Sequence, residues 1–402
     1  MKPSLAIKTK SALEVFFAFL KLGLISFGGP IAHIGYFRRE LVKRRAWVTH
    51  EAFSSLVSVC QFLPGPASSQ LGFSLGLMRA GWLGAFAAFL GFTLPSAIIM
   101  VLFAYGLPHV SGDLGFEVLA GLKLIACIMV ADALLSMTRQ LCPDLPRKAF
   151  AVVAAVILLF KSGVLVQLLV ILLAALGGLL WLNPARLPGV SSSHHPLTVS
   201  KNLGAGLLTL FLILLVTLPV LAHFQAGSWL LMDTFYRTGS FVFGGGHVVL
   251  PLLSDALVTP GLVTHEKFIS GYGASQALPG PLFTFSAYLG ALIALPVHPL
   301  LSALLALFAI FLPGFLLVSG ILPFWQAVAN DSLGIRAVAG VNAAVIGVLA
   351  AAFYNPVITS SVSSLTDVLI ILSGLICLRV FKLPVITVLL LCVIFRVALA
   401  CH

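Results

Sequence analysis

Long apolar stretches recur along the whole chain, and they restrict the fold more than any other feature of the sequence. Stretches of about 18 or more residues with few charges follow one another from near the N-terminus to near the C-terminus. Inside a bilayer every backbone polar group must find an internal partner, so segments of this kind form helices. The sequence therefore predicts an all-α polytopic membrane protein.

The composition supports this class and weakens a nucleic-acid interpretation. Of the 402 residues, 60% are hydrophobic and 9% are charged, whereas a soluble domain carries about 25% charged residues. The formal net charge is +11, but the basic residues cluster in short loops, where the preference of Lys and Arg for the cytoplasmic face explains them. We therefore expect a lipid bilayer, and not nucleic acid, as a partner of this chain.

About thirteen apolar segments can be marked from this pattern. They cover residues 12–33, 52–78, 82–106, 116–137, 149–160, 164–182, 203–223, 229–250, 267–293, 300–322, 336–354, 367–380 and 383–400. The extended polar linker at 183–202 contains His194 and His195, which we interpret as solvated side chains of a connector. The six cysteines form no C-x-x-C pair and most lie in apolar segments, which favours buried thiols. No metal and no other cofactor is predicted.

The segments before and after the linker carry matching motifs in the same order, about 215 residues apart. The matches are Lys21-Leu22-Gly23 with Arg237-Thr238-Gly239, Phe27-Gly28-Gly29 with Phe243-Gly244-Gly245, WVTHEAF (47–53) with LVTHEKF (262–268), and QFLPGP (61–66) with QALPGP (276–281). An ordered series of this kind indicates an internal duplication. We predict an N-terminal repeat at 1–182, a linker with a connecting helix at 183–228, and a C-terminal repeat at 229–402.

The second repeat is expected to have the opposite orientation in the membrane. Six segments per half with one between them reverse the entry side of the second copy, which makes an inverted-topology repeat. The loop at 36–47 carries five basic residues, whereas the corresponding loop at 252–263 carries a single charge, Asp255. Basic residues prefer the cytoplasmic face, so a loop moved to the other face is expected to lose them. This predicts a cytoplasmic N-terminus and an external C-terminus.

Glycine–proline breaks interrupt the first two segments of each half, and two arrangements follow from them. If segments 12–33 and 52–78 both span, Lys8 and Lys10 lie on the opposite face from the basic cluster at 38–45. If both are re-entrant hairpins, all of these residues are cytoplasmic. Irregular backbone at membrane depth is tolerated where it is buried in protein or lines a cavity. The charges favour the hairpins, and spanning segments stay the alternative.

Each of the four breaks starts a new helix, with Pro30, Pro66 or Pro281 near the first position of three of them. Unpaired N–H groups and about half a positive charge at such a start attract anions. Four converging starts predict a site for an anion. Its candidate residues are Gly28, Gly29, Pro30, Gly65, Pro66, Gly244, Gly245, Gly246, Gly280 and Pro281, with the side-chain donors Gln61, Ser68, Ser69, Gln276 and Thr284. The alternative is that the glycines only allow close helix packing.

Two cations lie inside apolar segments at equivalent positions of the repeat, Lys21 and Arg237. A cation at that depth costs about 2.5–3.5 kcal/mol on insertion scales, so it is usually paired or functional. We predict that both face a shared cavity and bind a compact divalent anion together with the helix starts. The alternative is that each side chain extends towards the interface as an anchor.

Three further titratable residues are weaker candidates for the same site. His33 and His247 follow the two FGG breaks at non-equivalent positions, and packing or hydrogen bonding is favoured over proton transfer for them. Asp132 is a carboxylate deep in a segment, and its repeat counterpart is apolar. It is the candidate for proton coupling.

Two other motifs have structural explanations. The repeated VTHE (48–51 and 263–266) is typical of a cap that opens the next helix. The stretch GFSLG (72–76) matches the G-x-S-x-G elbow of hydrolases, but it lacks the strand–turn–helix context that this motif requires. We therefore expect no enzyme.

Four stretches resemble the signatures of the chromate ion transporter family, in its two-domain, long-chain form. They are FGGP-x-AH-x-G (27–35), QFLPGPASSQ (61–70), FGGGHVVLPLL (243–253) and QALPGP (276–281). The resemblance covers nearly the whole chain. It implies a bacterial inner-membrane protein that expels chromate and confers chromate resistance, with sulfate as a structural analogue. A homodimer is an open alternative to a single chain.

The direction of transport can also be argued from the charge of the anion. With the inside negative by about 100 mV, each charge moved is worth about 2.3 kcal/mol, so expelling a dianion gains about 4–5 kcal/mol. An importer has to offset that cost by coupling to a cation, normally through carboxylates in the spans. Asp132 alone provides few carboxylates for such coupling. Efflux is therefore expected. A sulfate-type oxyanion importer and a membrane-embedded enzyme are the alternatives.

Overall fold

The structure is a computed structural model that describes residues 5–109, 112–161, 163–183, 199–225, 227–243 and 245–400. All regular secondary structure of these residues is helical, as predicted. Five helices are long and apolar enough to cross a membrane: Ala67–Gly106, Gly115–Leu141, Lys201–Phe224, Pro299–Val328 and Ser332–Ser361. This agrees with a polytopic membrane protein.

The first half and the connecting region contain eight of the described α-helices. They are α1 (Leu5–Ile25), α2 (Gly29–Phe37), α3 (His50–Phe62), α4 (Ala67–Gly106), α5 (Gly112–Leu141), α6 (Leu145–Phe160), α7 (Val164–Trp181) and the connecting helix α8 (Lys201–Phe224). A π-helical segment, Arg38–Arg44, continues α2, and a 3-10 turn, Leu107–His109, follows α4.

The second half contains ten further described α-helices, several of them short. Its helices are α9 (Ser228–Phe241), α10 (Val249–Leu253), α11 (His265–Gln276), α12 (Phe285–Leu292), α13 (Pro299–Ile321), α14 (Trp325–Asn330), α15 (Ser332–Ala352), α16 (Thr359–Ser361), α17 (Leu365–Arg379) and α18 (Val385–Ala400). The 3-10 turns Gly246–Val248, Leu282–Thr284 and Leu322–Phe324 and the π-helical segments Ser254–Val258 and Phe353–Ile358 connect them.

The predicted glycine–proline breaks are present, and they divide segments that the hydropathy pattern joins. Each break contains at least one glycine with a positive φ: Gly28 (96°) and Gly29 (79°) in the first, and Gly65 (115°), Gly245 (147°) and Gly280 (101°) in the others. Side chains disfavour this backbone conformation, whereas glycine adopts it readily. The apolar segment 52–78 is accordingly α3 followed, after a break, by the start of α4.

The predicted VTHE caps are also present. Thr49 is the N-cap of α3, and its hydroxyl accepts a hydrogen bond from the Ala52 N–H at 3.3 Å. Thr264 does the same for α11, accepting from the Lys267 N–H at 3.4 Å. Each threonine satisfies one of the N–H groups that a helix start leaves unpaired.

In the first half, the chain turns back on itself at each break. Two ion pairs cross the first break in antiparallel order, Lys21 with Glu40 at 3.6 Å and Glu14 with Arg45 at 3.8 Å. Helix α2 and the π-helical segment Arg38–Arg44 therefore run back alongside α1. The start of α4 returns alongside α3 in the same way, since the Arg79 guanidinium lies 5.1 Å from the ring centre of Trp47, just before α3.

A second reversal lies inside α4, where Ala80 and Gly81 have non-helical backbone angles. A Cβ atom built on Gly76 would lie 2.3 Å from the Gly84 carbonyl oxygen, so the two arms of α4 pack with their backbones in contact. The second half has a similar contact between α12 and α13, where a Cβ atom on Gly290 would lie 2.6 Å from the Ser302 carbonyl oxygen. Small residues allow this approach.

The two halves do not pack as separate layers. Helix α5 of the first half packs against α17 and α18 of the second, and α15 of the second half packs against α6 and α7 of the first. A Cβ atom on Gly340 would lie 2.0 Å from the Ala174 carbonyl oxygen, so α15 and α7 meet at their backbones. One buried core cluster accordingly includes residues from both halves.

Candidate functional site

The four helix breaks lie next to one another, although they are far apart in the sequence. The Gly65 N–H donates a hydrogen bond to the Val242 carbonyl oxygen at 2.7 Å. The Gly280 N–H donates to the Ser26 carbonyl oxygen at 2.9 Å. Each LPGP break is thus bonded to the FGG break of the other half.

Contacts within each half complete a ring of breaks. In the first half, His33 Nδ1 of α2 and Ser68 Oγ of α4 are hydrogen-bonded at 3.2 Å. In the second half, a Cβ atom built on Gly246 would lie 3.3 Å from the Leu282 side chain. We call the described residues of the four breaks, 26–30, 63–66, 242–243 with 245–246, and 277–281, the break ring.

The prolines and hydroxyls predicted for the site lie at the helix starts of this ring. Pro30 is in the first turn of α2, Pro66 is the N-cap of α4, and Pro281 precedes the 3-10 turn Leu282–Thr284. Two of the three hydroxyls have protein partners, because Ser68 bonds to His33 and the Thr284 hydroxyl donates to the Pro281 carbonyl oxygen at 2.9 Å.

Several buried polar atoms near the ring have no hydrogen-bond partner among the described residues. They include Ser69 Oγ and Gln276 Nε2, both predicted donors, and also Ser26 Oγ and Gln70 Oε1, which sequence reasoning missed. Gln61, the repeat counterpart of Gln276, is exposed. Buried polar groups are normally paired, so these atoms are available to a ligand or to water.

Gln70 has a further role between the halves. Its Nε2 donates to the Pro64 carbonyl oxygen at 2.9 Å and to the Gly314 carbonyl oxygen of α13 at 3.1 Å. The side chain is completely buried. It therefore ties the second break of the first half to the long helix of the other half.

The two predicted histidines are hydrogen-bonded. His33 is buried, bonds to Ser68, and its ring contacts the Phe92 ring edge-on at 5.3 Å. His247 Nδ1 lies 2.7 Å from the Tyr272 hydroxyl. Both arrangements match the favoured hydrogen-bonding interpretation.

Lys21 has a carboxylate partner on the returning arm of its own hairpin. Its side chain is 45% exposed, and Nζ lies 3.6 Å from Glu40 Oε2. Glu40 also accepts hydrogen bonds from Arg44 at 3.3 Å and from Arg45 at 2.8 Å. Burial opposes the ionisation of Glu40, but the hydrogen bond from Arg45 and the charges of Lys21 and Arg44 outweigh it and lower the pKa of its carboxyl group.

Arg237 is paired with Asp233, one turn earlier on α9. The Arg237 side chain is 39% exposed and that of Asp233 is 2% exposed. Beside the pair lies a cavity of about 40 Å³, lined by Leu168, Thr234, Arg237, Thr238, Phe241, Leu252 and Ala256. Lys21 does not line this cavity.

The carboxylate partners of the two cations are not related by the repeat. The position equivalent to Glu40 is Ala256, and the position equivalent to Asp233 is Phe17. Sequence reasoning missed both because it compared equivalent positions. The four-residue spacing of Asp233 and Arg237 on one helix was the available signal.

Asp132, the candidate for proton coupling, lies in an ion pair between the halves. Arg379 Nε of α17 donates to Asp132 Oδ1 at 2.8 Å, and Arg379 Nη2 donates to Ser136 Oγ at 3.0 Å. A second arginine of the same region, Arg396, pairs with Glu117 of α5 at 2.8 Å. Both pairs fasten the last two helices to α5.

The remaining motifs are accounted for as follows. GFSLG lies inside α4, where the Ser74 hydroxyl donates to the Gln70 carbonyl oxygen at 2.8 Å, so it forms no nucleophile elbow. The described cysteines are free thiols, and all except Cys377 are buried. Gly244, His194 and His195 lie outside the described residues.

Close packing does explain the glycine that follows each cation. A Cβ atom on Gly23 would lie 2.7 Å from the Phe92 carbonyl oxygen, and one on Gly239 would lie 2.1 Å from the Ile310 carbonyl oxygen. These glycines let α1 meet α4 and α9 meet α13. Close packing accounts for Gly23 and Gly239, whereas Gly28, Gly29, Gly65, Gly245 and Gly280 of the ring also have positive φ values.

Comparison with known proteins gives a consistent result. The family described as "Chromate transporter" matches residues 13–179 and again 229–397. The chain is 28% identical over 368 residues to the probable chromate transport protein of Synechococcus elongatus, covering 90% of this chain and 87% of that protein. It is 27% identical over 354 residues to the chromate transport protein of Pseudomonas aeruginosa, covering 84% and 79%. No solved structure matches. Because the family matches span most of the sequence, this chain belongs to the chromate transporter family.

Proposed function

We propose that this protein is a bacterial inner-membrane transporter that expels chromate from the cytoplasm and so confers chromate resistance. The names of its relatives in Synechococcus and Pseudomonas support chromate as the substrate. The observation that carries the proposal is the break ring, which gathers four interrupted helices with the unpartnered atoms Ser69 Oγ and Gln276 Nε2. The protein acts by binding and moving the anion, without catalysis.

In the proposed arrangement, the two repeats have opposite orientations and the break ring lies between the two membrane faces. The hairpins of the first half open towards the cytoplasm, which puts the basic residues at 38–45 and Arg79 on that side. The hairpins of the second half open outwards. The N-terminus is then cytoplasmic and the C-terminus external, in agreement with the preference of basic residues for the cytoplasm.

The ring binds the oxyanion through backbone N–H groups and neutral donors. The free N–H groups after Gly28-Gly29-Pro30, Gly65-Pro66, Gly244-Gly245-Gly246 and Gly280-Pro281 supply partial positive charge, as helix starts do for anions elsewhere. The hydroxyls of Ser68, Ser69 and Thr284 and the amides of Gln61 and Gln276 are the neutral side-chain candidates. His33 and His247 hold the helix starts in place through their hydrogen bonds.

Lys21 and Arg237 act at the two entrances of the ring. Each lies about six residues before its break, which is about 9 Å along an α-helix. With inverted repeats, Lys21 is on the cytoplasmic side of the ring and Arg237 on the external side. The shared cavity predicted from the sequence is replaced in this proposal by two cations that the anion meets one after the other.

Two features favour efflux: the negative charge of the substrate and the ion pair that occupies Asp132. A dianion leaving a cell that is negative inside moves down the electrical gradient by about 4–5 kcal/mol for 100 mV. Asp132, the residue that an importer would use for proton coupling, is occupied by Arg379. The membrane potential alone drives export in this proposal.

Transport in vesicles tests this function. Inside-out vesicles containing the protein should take up labelled chromate when the lumen is positive, and excess sulfate should compete. Vesicles without the protein are the control for leakage. Chromate movement only in the opposite direction, and only with a proton or sodium gradient, would support an importer and contradict the proposal.

A further inference from the structure

The ion pair between Arg237 and Asp233 is incomplete. One guanidinium nitrogen donates to Asp233 Oδ2, but Arg237 Nε and Asp233 Oδ1 are buried and have no partner among the described residues. An arginine and a carboxylate that serve only each other usually form two parallel hydrogen bonds. The pair therefore leaves one strong donor of Arg237 available for another ligand.

The surroundings of the pair contain few other charges. Helix α9 packs against α8, α10 and α13. Helices α10 and α13 have no ionisable side chain, and those of α8 are Lys201 and His223 near its two ends. Asp255, beside the cavity residue Ala256, is hydrogen-bonded to Gln167 instead. Asp233 is consequently the resident negative charge at Arg237.

The cavity next to the pair offers hydroxyl groups as well as the guanidinium. Thr234 and Thr238 line it together with Arg237. An anion there would meet Arg237 favourably and the Asp233 carboxylate unfavourably, and both effects are large in an apolar environment. The anion can therefore bind Arg237 strongly only when Asp233 gives up its hydrogen bond.

We propose that Asp233 is a displaceable counter-ion that sets the affinity and the charge selectivity of Arg237 for anions. This inference rests on the proposed function. A monovalent anion brings no more charge than the carboxylate it replaces, so it gains little by displacing Asp233. A tetrahedral dianion brings two charges and several acceptor oxygens, so it competes successfully. Asp233 thereby discriminates against chloride and in favour of chromate or sulfate.

The first half has a counter-ion of a different kind. Glu40 neutralises Lys21 but is shared with Arg44 and Arg45. Removing its charge would leave Lys21 and Arg44 without their partner and Arg45 with Glu14 alone, and so disturb the whole hairpin entrance. Asp233 is bound only to Arg237, which makes it the cleaner position for a test.

The experiment measures anion binding to the purified full-length protein, with labelled sulfate as the probe and chloride as the competitor. Asp233→Asn should bind sulfate about tenfold more tightly than wild type, and chloride should compete more effectively with it. Glu117→Gln is the matched control, because it removes a carboxylate from another arginine pair, that with Arg396, on a packed helix. It should leave both affinities unchanged.

Two further variants keep the outcome interpretable. Asp233→Glu keeps the negative charge and should stay close to wild type. Asp233→Leu removes the charge with an apolar side chain, as at the equivalent Phe17, and should reproduce the gain if Asp233→Asn fails to fold. Wild-type sulfate affinity and chloride selectivity in the charge-removing variants would overturn the counter-ion role while leaving the proposed function intact. A wild-type protein that binds neither sulfate nor chromate would overturn both.

Discussion

Lys21 and Arg237 illustrate how an apolar segment accommodates a cation. Each is only partly buried and has a carboxylate within its own hairpin, which lowers the cost of keeping a charge there. The two partners differ in one respect that matters for substitution experiments. Glu40 has two other cations, whereas Asp233 depends on Arg237 alone.

Substitution of either cation by alanine should reduce chromate efflux by roughly tenfold or more. A charge-assisted hydrogen bond to the anion contributes about 1.5–3 kcal/mol, which corresponds to that factor in affinity. Efflux is measured as loss of labelled chromate from loaded cells, normalised to the amount of protein in the membrane. Normal efflux by Lys21→Ala would instead support the interpretation of Lys21 as an interfacial anchor.

The two alanine variants should differ in stability. Arg237→Ala leaves the buried Asp233 unpaired, and breaking a fully buried pair costs about 3–5 kcal/mol. We expect a smaller loss here because Arg237 is 39% exposed. Lys21→Ala should cost little, since Glu40 keeps Arg44 and Arg45. Membrane abundance and thermal unfolding separate these effects, and Arg237→Ala combined with Asp233→Asn should recover stability without recovering efflux.

Ser69 gives a sharper test of the break ring, because its hydroxyl has no partner among the described residues and is buried. Ser69→Ala should weaken anion binding by roughly tenfold if the hydroxyl donates to the anion. It should not lower protein stability, since no described hydrogen bond is lost. Ser74→Ala is the control, as Ser74 is equally buried but bonds within α4. Unchanged sulfate affinity in Ser69→Ala would remove this residue from the site.

At the scale of the elements, the glycines of two breaks have a positive φ and also lie close to another helix. Gly280 has a φ of 101°, and a Cβ atom there would lie 2.8 Å from Ser96 Oγ of α4. Gly65 has a φ of 115°, and a Cβ atom there would lie 3.2 Å from Gly314 Cα of α13. Each LPGP break therefore packs closely against the long helix of the opposite half.

Gly280→Ala should destabilise the protein more than Gly261→Ala. Both glycines have positive φ, which costs a side chain about 1–2 kcal/mol, but Gly261 has open space around it while Gly280 meets Ser96. Thermal unfolding of the purified variants measures the difference. Chromate transport should fall only in Gly280→Ala, because its hydrogen bond to Ser26 belongs to the ring. Equal losses of stability would show that crowding at Ser96 is easily relieved.

Contacts between the two halves hold the whole molecule together. They are made by the break ring and by helices that pack against helices of the other half. Arg379 with Asp132 and Arg396 with Glu117 attach the last two helices to α5, while Gly340 brings α15 against α7. In the proposed arrangement of inverted repeats, the two halves move against each other around a central site. The ring is that central site in the proposed function.

The orientation of the halves is tested with two single cysteines, placed at Arg44 and at Thr259 in a background without native thiols. Both positions are exposed; Arg44 is the last residue of the π-helical segment Arg38–Arg44, and Thr259 follows the π-helical segment Ser254–Val258. Inverted repeats predict that a membrane-impermeant maleimide labels the cysteine at 259 from outside and reaches the one at 44 only after permeabilisation. Equal labelling from outside at both positions would contradict the inverted arrangement.

The sequence by itself determined the features that depend on neighbours along the chain. Apolar runs require helices because their backbone groups must be paired internally. The glycines and prolines of the breaks and the threonines of the VTHE caps act within a few residues, so their positions were predictable. The charge difference between loops 36–47 and 252–263 likewise needs no structure to be seen.

Only the tertiary structure decided which of these features meet. The hydrogen bonds from Gly65 to Val242 and from Gly280 to Ser26 join residues far apart in the sequence, and no local pattern specifies such pairs. The same holds for the partner of Asp132, which is Arg379 of the other half. The prediction of a shared cavity for Lys21 and Arg237 rests on repeat symmetry, which does not specify the distance between two positions. Two positions related by a repeat are equivalent in the sequence, but the packing of the hairpins decides which carboxylate each cation finds, Glu40 for Lys21 and Asp233 for Arg237.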